Sequence, residues 1–137
     1  MFNGNIEELT INNLNFRKVL YTGKNLQLVI MSLKPKENIP KEIHETHDQF
    51  IRIEFGECDV VTQNGKIHLK KDHAVVIPAG TEHEIINTSS DKNLKLYTIY
   101  APPEHEPGST QKNKPTQHGG NVYLLKYLKY HKKNSFN

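Results

Sequence analysis

The residues predict an all-β domain, a small antiparallel β-barrel or sandwich followed by one short C-terminal helix. Three observations carry this. Between Phe16 and Ala101, short runs rich in β-branched and aromatic residues succeed one another, each bounded by Gly, Pro, Asn or Asp. Asn64-Gly65 stands between two of those runs, the strongest short-range signal for a two-residue hairpin. Past Gly120 the apolar spacing changes, and Leu124, Leu125 and Leu128 fall on one helical face.

In order, the strand candidates are FRKVLYT, LQLVIMSL, QFIRIEF, CDVVTQ, KIHLK, AVVIP, HEIIN and LKLYTIYA. Pro35, Pro40, Pro78 and Pro102-Pro103 punctuate strand ends, where a missing N–H does least harm. Many short strands at regular spacing indicate a barrel or sandwich. From 104 to 120 the composition turns to Pro, Gly, Ser, Thr and Lys and reads as a loop. The segment NVYLLKYLKYHKK (121–133) reads as a helix with Asn121 as its N-cap. Its Leu stripe is expected to dock on the barrel or on a second subunit. The division expected is a β-barrel domain over 1–108 and a basic loop and helix over 109–137.

At 137 residues the chain can bury a proper core without staples. A single cysteine, Cys58, excludes an internal disulfide and suits a reducing compartment. With no His or helix start nearby, Cys58 is not expected to be a catalytic thiol. Residues 1–9 carry Glu7 and Glu8 and no apolar stretch, so no secretory leader is expected. No apolar run approaches the roughly 20 residues of a membrane span. A cytoplasmic protein is therefore expected. The formal charge is +3, yet six lysines and no acid follow Gly108, which leaves residues 1–108 mildly acidic. The basic end is read as a solvated helix end, and nothing matches a nucleic-acid-binding motif.

The polar cluster in EIHETHDQFIRIEFGE (42–57) carries the functional signal. Glu42 and His44 are two apart, so in extended chain they share a face. Gln49 has the parity of Ile51, Ile53 and Phe55, which puts it at the head of an inward apolar stripe. A carboxylate and an imidazole buried together need a partner, and a cation is one. His83, just past Pro78-Ala79-Gly80, is a fourth donor at the start of another strand. The plainer alternatives are structural histidines at 44 and 83, a surface acid at 42 and a hydrogen-bonding core amide at 49. His47 and Asp48 are expected in a solvent-facing loop, and His68 and His73 at the surface. Arg52 and Glu54 should point away from the cavity. Of Tyr97 and Tyr100, opposite in parity, at most one should face in, as a possible acid.

These residues resemble the two motifs of the cupin superfamily. Glu42-x-His44, four residues, Gln49, six residues and Gly56 keep the spacing of the first motif, with Glu for its first His and Gln for its Glu. Pro78, Gly80, His83 and Asn87 match the second motif, with Asp72 where its leading Gly stands. The resemblance is strongest to small single-domain cupins labelled mannose-6-phosphate isomerase-like, and covers about residues 14–108. It implies a jelly-roll barrel and metal ligands at Glu42, His44, Gln49 and His83. The implied cofactor is a divalent transition metal, Zn, Mn, Fe or Ni.

The first functional expectation is an isomerase-type enzyme acting on a small carbonyl compound such as a sugar or sugar acid. The metal would polarise the carbonyl, and His105, Glu42 or a Tyr would move the proton. Arg17, Lys18 and Lys41 are the only nearby candidates for a phosphate clamp, and weak ones. The alternatives are a non-haem dioxygenase, for which two His and one carboxylate suffice, and a non-catalytic small-ligand-binding barrel. The partners expected are a small-molecule substrate and a second copy in a homodimer, with no nucleic acid and no membrane.

Overall fold

Alternating buried and exposed side chains build two facing antiparallel sheets in the computed structural model, which describes residues 1–116. The elements are α1 (Ile6–Asn12), β1 (Arg17–Thr22), β2 (Gln27–Leu33), β3 (Asn38–Glu42), β4 (Asp48–Phe55) and β5 (Glu57–Thr62). There follow β6 (Gly65–Lys70), β7 (Ala74–Ile77), β8 (His83–Asn87), β9 (Leu94–Ala101) and β10 (Thr110–Gln111). One sheet has the order β10-β1-β2-β9-β4-β7, the other β3-β8-β5-β6. The architecture is the jelly-roll expected, formed as a two-sheet sandwich rather than a closed ring. The helix expected over 121–133 lies outside the described residues, as does most of the unit 109–137.

The core lies between the sheets. Val29, Met31, Leu33, Ile51, Ile53, Leu94 and Leu96 come from the larger sheet, and Ile39, Cys58, Val60, Leu69 and Ile85 from the smaller, all buried. Burial, with Asp59 and Glu57 nearby, pushes the Cys58 thiol up to about 12, as suits an inert core residue. Among the described residues no helix is long and apolar enough to cross a membrane.

Several elements depart from expectation, each for a physical reason. The hairpin after β5 forms with Gln63-Asn64 at its tip, because Thr62 pairs with Gly65. Strand β3 contains Pro40, which an edge strand tolerates because its outer N–H groups need no ladder partner. Helix α1 carries its own start signal, since Asn5 Oδ1 accepts from Glu8 N at 3.0 Å and Glu7 and Glu8 fill the first turn. Phe55 was expected to face in. A bulge between Ile53 and Phe55 instead sets Phe55 opposite Lys95 and leaves it 43% exposed, while Glu54 is buried.

Candidate metal centre

One end of the sandwich gathers the polar side chains. There β3 and β9 finish and β2, β4 and β8 begin. Glu42, last in β3, lies directly opposite His83, first in β8, so their side chains leave adjacent strands side by side. Two residues on, buried His44 places its ring centroid 5.3 Å from that of His83. Its Nε2 is 3.2 Å from Glu42 Oε2. Gln49 lies opposite Tyr100 of β9, whose ring meets His44 edge-on at 5.6 Å. Glu42, His44 and His83 are thus brought into contact, while Gln49 is buried on β4 with its Nε2 donating to Thr98 Oγ1 at 3.1 Å.

The backbone explains why the two motifs meet. Gly80 N–H donates to the His44 carbonyl at 2.9 Å, and Ala79 N–H donates to Asp48 Oδ1 at 2.9 Å. The Pro78-Ala79-Gly80 turn is therefore stitched to the stretch that carries His44. That turn needs a left-handed residue at Gly80, where φ is +81°. His83 Nδ1 lies 2.9 Å from the Thr81 carbonyl. A carbonyl can only accept, so Nδ1 carries a hydrogen, and Nε2 is the ring nitrogen left for another partner.

His105 lies at the same end of the fold, its ring 5.0 Å edge-on from Tyr100 and buried. Burial first, then the charges of Arg17, His44 and His47, hold its imidazole well below the ordinary value, so it stays neutral at pH 7. His44 behaves oppositely. Burial alone would lower it, but Glu104 and Glu42 outweigh that and raise it to about 9. Glu42 would be raised by burial, yet His44, Arg17 and His83 hold it below the usual carboxylate range.

Three residues escaped the sequence reading. His47, expected in solvent, is fully buried because the segment after β9 folds over it. Its Nε2 lies 3.0 Å from the Pro103 carbonyl and 3.3 Å from Glu104 Oε2. Glu104 is itself buried, with Oε1 3.3 Å from His44 Nδ1. Gln27, also buried, clamps the segment. Its Oε1 accepts from Glu104 N–H at 3.1 Å and His105 N–H at 2.8 Å, and its Nε2 donates to the His105 carbonyl at 2.7 Å. The only hint in the sequence was an acid at 104 directly after two prolines. Other expectations hold: Tyr100 is buried while Tyr97 is only partly so, and His68 lies at the surface between Glu57 and Asp59.

The donor set fits a transition metal. Gln49 Oε1 is buried without a hydrogen-bond partner, a costly state that a cation relieves. Two donors on one metal at roughly 2.1 Å lie about 3.0–3.4 Å apart, and the His44–Glu42 contact of 3.2 Å falls in that range. Among the described residues, though, no three His, Cys, Asp or Glu side chains form a ready-made cage. Glu42 instead leans on His44. A surface groove of about 710 Å³ lies elsewhere, between α1 and the outer side of β1 and β2.

An antiparallel two-sheet domain of this order, with imidazole, carboxylate and amide side chains gathered at one end, defines a jelly-roll protein. The comparisons give the family: the chain belongs to the cupins, with the cupin domain model matching residues 29–100. It is 44% identical over 133 residues to an uncharacterized protein of Acanthamoeba polyphaga mimivirus, covering 92% of this chain and 83% of that one. It is 46% identical to the uncharacterized protein YrkC of Bacillus subtilis (strain 168) over 116 residues, or 80% of this chain and 62% of YrkC. Among solved structures, BH2720 from Bacillus halodurans superimposes with a TM-score of 0.78 at 42% identity, over 81% of this chain and 88% of that one.

Proposed function

We propose that this cupin holds one divalent transition metal through Glu42, His44, Gln49 and His83 and acts on a small carbonyl compound by isomerase-type proton transfer. The observation that carries the reading is buried Gln49 Oε1, which has no hydrogen-bond partner, together with the 3.2 Å contact of His44 Nε2 with Glu42 Oε2. A metal bound there supplies Lewis-acid polarisation of a carbonyl oxygen. The chain supplies the rest. His105, neutral and buried, takes a proton from the hydroxyl-bearing carbon next to the carbonyl and returns it to the carbonyl carbon, while the hydroxyl proton passes to the former carbonyl oxygen. Tyr100, packed between the His44 and His105 rings, sets their spacing. Burial of His44, His83 and Gln49 keeps bulk water from the reacting atoms, and half-buried Glu42 marks the open side.

The mannose-6-phosphate isomerase likeness is best narrowed to an unphosphorylated substrate. Lys41 pairs with Glu82 at 3.4 Å and Lys18 is exposed, so neither is placed to clamp a phosphate. Buried Arg17 donates to Gln111 Oε1 at 2.7 Å, and its charge reaches Glu42 and His105. Incubating metal-loaded protein with small hydroxyaldehydes, hydroxyketones and sugar acids in D2O tests the reading. Deuterium is expected on the carbon beside the carbonyl, slowed about 100-fold in His105→Gln. Oxygen consumption without deuterium incorporation would replace this reading with dioxygenase chemistry. Binding without either would leave a ligand-holding barrel.

A further inference from the structure

We infer that Glu104 is the positioning residue of the centre, the outer carboxylate that sets the tautomer and aim of His44. The inference rests on the metal reading above and adds a residue that neither motif contains. Glu104 is buried between two buried imidazoles, with Oε1 3.3 Å from His44 Nδ1 and Oε2 3.3 Å from His47 Nε2. A carboxylate at that depth is destabilising unless it is compensated, and the proton transfer proposed above has no use for it.

Its position does not depend on His44. Gln27 holds the backbone at Glu104 and His105 with three hydrogen bonds and is anchored in turn by donating to Thr22 Oγ1 at 2.9 Å. His47, which faces the other carboxylate oxygen, is fixed by the Pro103 carbonyl and by Thr46 Oγ1, each 3.0 Å away. The carboxylate is thus a rigid reference to which His44 turns. With Nδ1–H directed at Glu104 Oε1, Nε2 is the nitrogen left beside Glu42, on the ring that neighbours His83. The Thr81 carbonyl does the same for His83 Nδ1. Both imidazoles therefore have an outer acceptor, one neutral and one a carboxylate, the arrangement that fixes ligand orientation and raises ligand basicity.

Charge supports the assignment. With Gln49 neutral, Glu42 is the only acid among the four proposed ligands. Glu104, one bond further out, supplies a second negative charge and matches a divalent ion without occupying a coordination position.

The test is a cobalt(II) titration of the full chain, read from its visible absorption bands, for wild type, Glu104→Gln and Glu104→Ala, with thermal melts of the metal-free proteins alongside. Glu104→Ala is expected to weaken binding about 10- to 100-fold and to alter the band shape. Glu104→Gln keeps an acceptor oxygen but loses the charge, and should fall between. Should the alanine variant not fold, the near-isosteric Gln variant carries the comparison. Variants that melt lower yet bind cobalt with wild-type affinity and spectrum would overturn the inference and leave Glu104 a packing residue. If wild type took up no cobalt, the metal reading itself would fall, and the inference with it.

Discussion

Single residues carry backbone constraints as well as chemistry. Gly56 has φ +84°, and a Cβ there would sit 2.5 Å from the Asn93 carbonyl oxygen, a backbone atom that cannot swing aside. Gly56→Ala is therefore expected to destabilise the protein by at least about 3 kcal/mol, measured by urea unfolding against wild type. An unchanged midpoint would show that the β4–β5 turn relaxes freely. Asp72 also sits in the left-handed region, at φ +72°, and occupies the place where the second cupin motif carries its leading glycine. An acid tolerates that conformation better than most residues, and Asp72 also pairs with Arg52 at 3.1 Å. The motif's glycine requirement is thus conformational, which explains why its spacing stayed recognisable despite the substitution. Glu42, His44 and His83 were legible for the same reason. Their spacing reflects which strand ends must meet. Glu104 and the burial of His47 were not, because both depend on the segment past β9 folding back, a long-range event with no local pattern.

Elements were easiest to read where one face is buried and the period is two. The strands β2, β4, β8 and β9 match the candidate runs to within a residue, since each alternates into the same core. The period fails at the bulge in β4, which turns Phe55 outward. It fails again at β3, whose proline masks an edge strand, and at α1, seven residues long and too short for a convincing stripe. Asn87, which closes the second motif, proves to be a tie between elements rather than a ligand. Its Nδ2 donates to the Leu33, Lys34 and Lys92 carbonyls at 3.2, 2.9 and 2.9 Å, joining the end of β8 to the end of β2 and the start of β9. Asn87→Ala leaves those buried carbonyls without their donor, and should lower stability by about 3 kcal/mol while leaving metal stoichiometry unchanged. A loss of metal at unchanged stability would instead put Asn87 in the centre.

At the scale of the whole molecule, the two sheets form a rigid frame that brings donors from three separate stretches of chain to one end. The apolar side chains between them bury that end against water. Glu42 and Glu104 flank His44 from opposite sides, at 3.2 and 3.3 Å, so the imidazole is held in a fixed setting before any ligand arrives. A scaffold of this kind hosts many chemistries, and the function follows from the donors it carries. The claim most directly exposed to test is that these donors bind a metal. The measurement is elemental analysis of full-length protein purified without a polyhistidine tag or chelator, for wild type and for His44→Ala combined with His83→Ala. The account predicts about one transition metal per chain in wild type and none in the double variant. No metal in wild type, and none taken up on titration with zinc, manganese, iron or nickel, would contradict it.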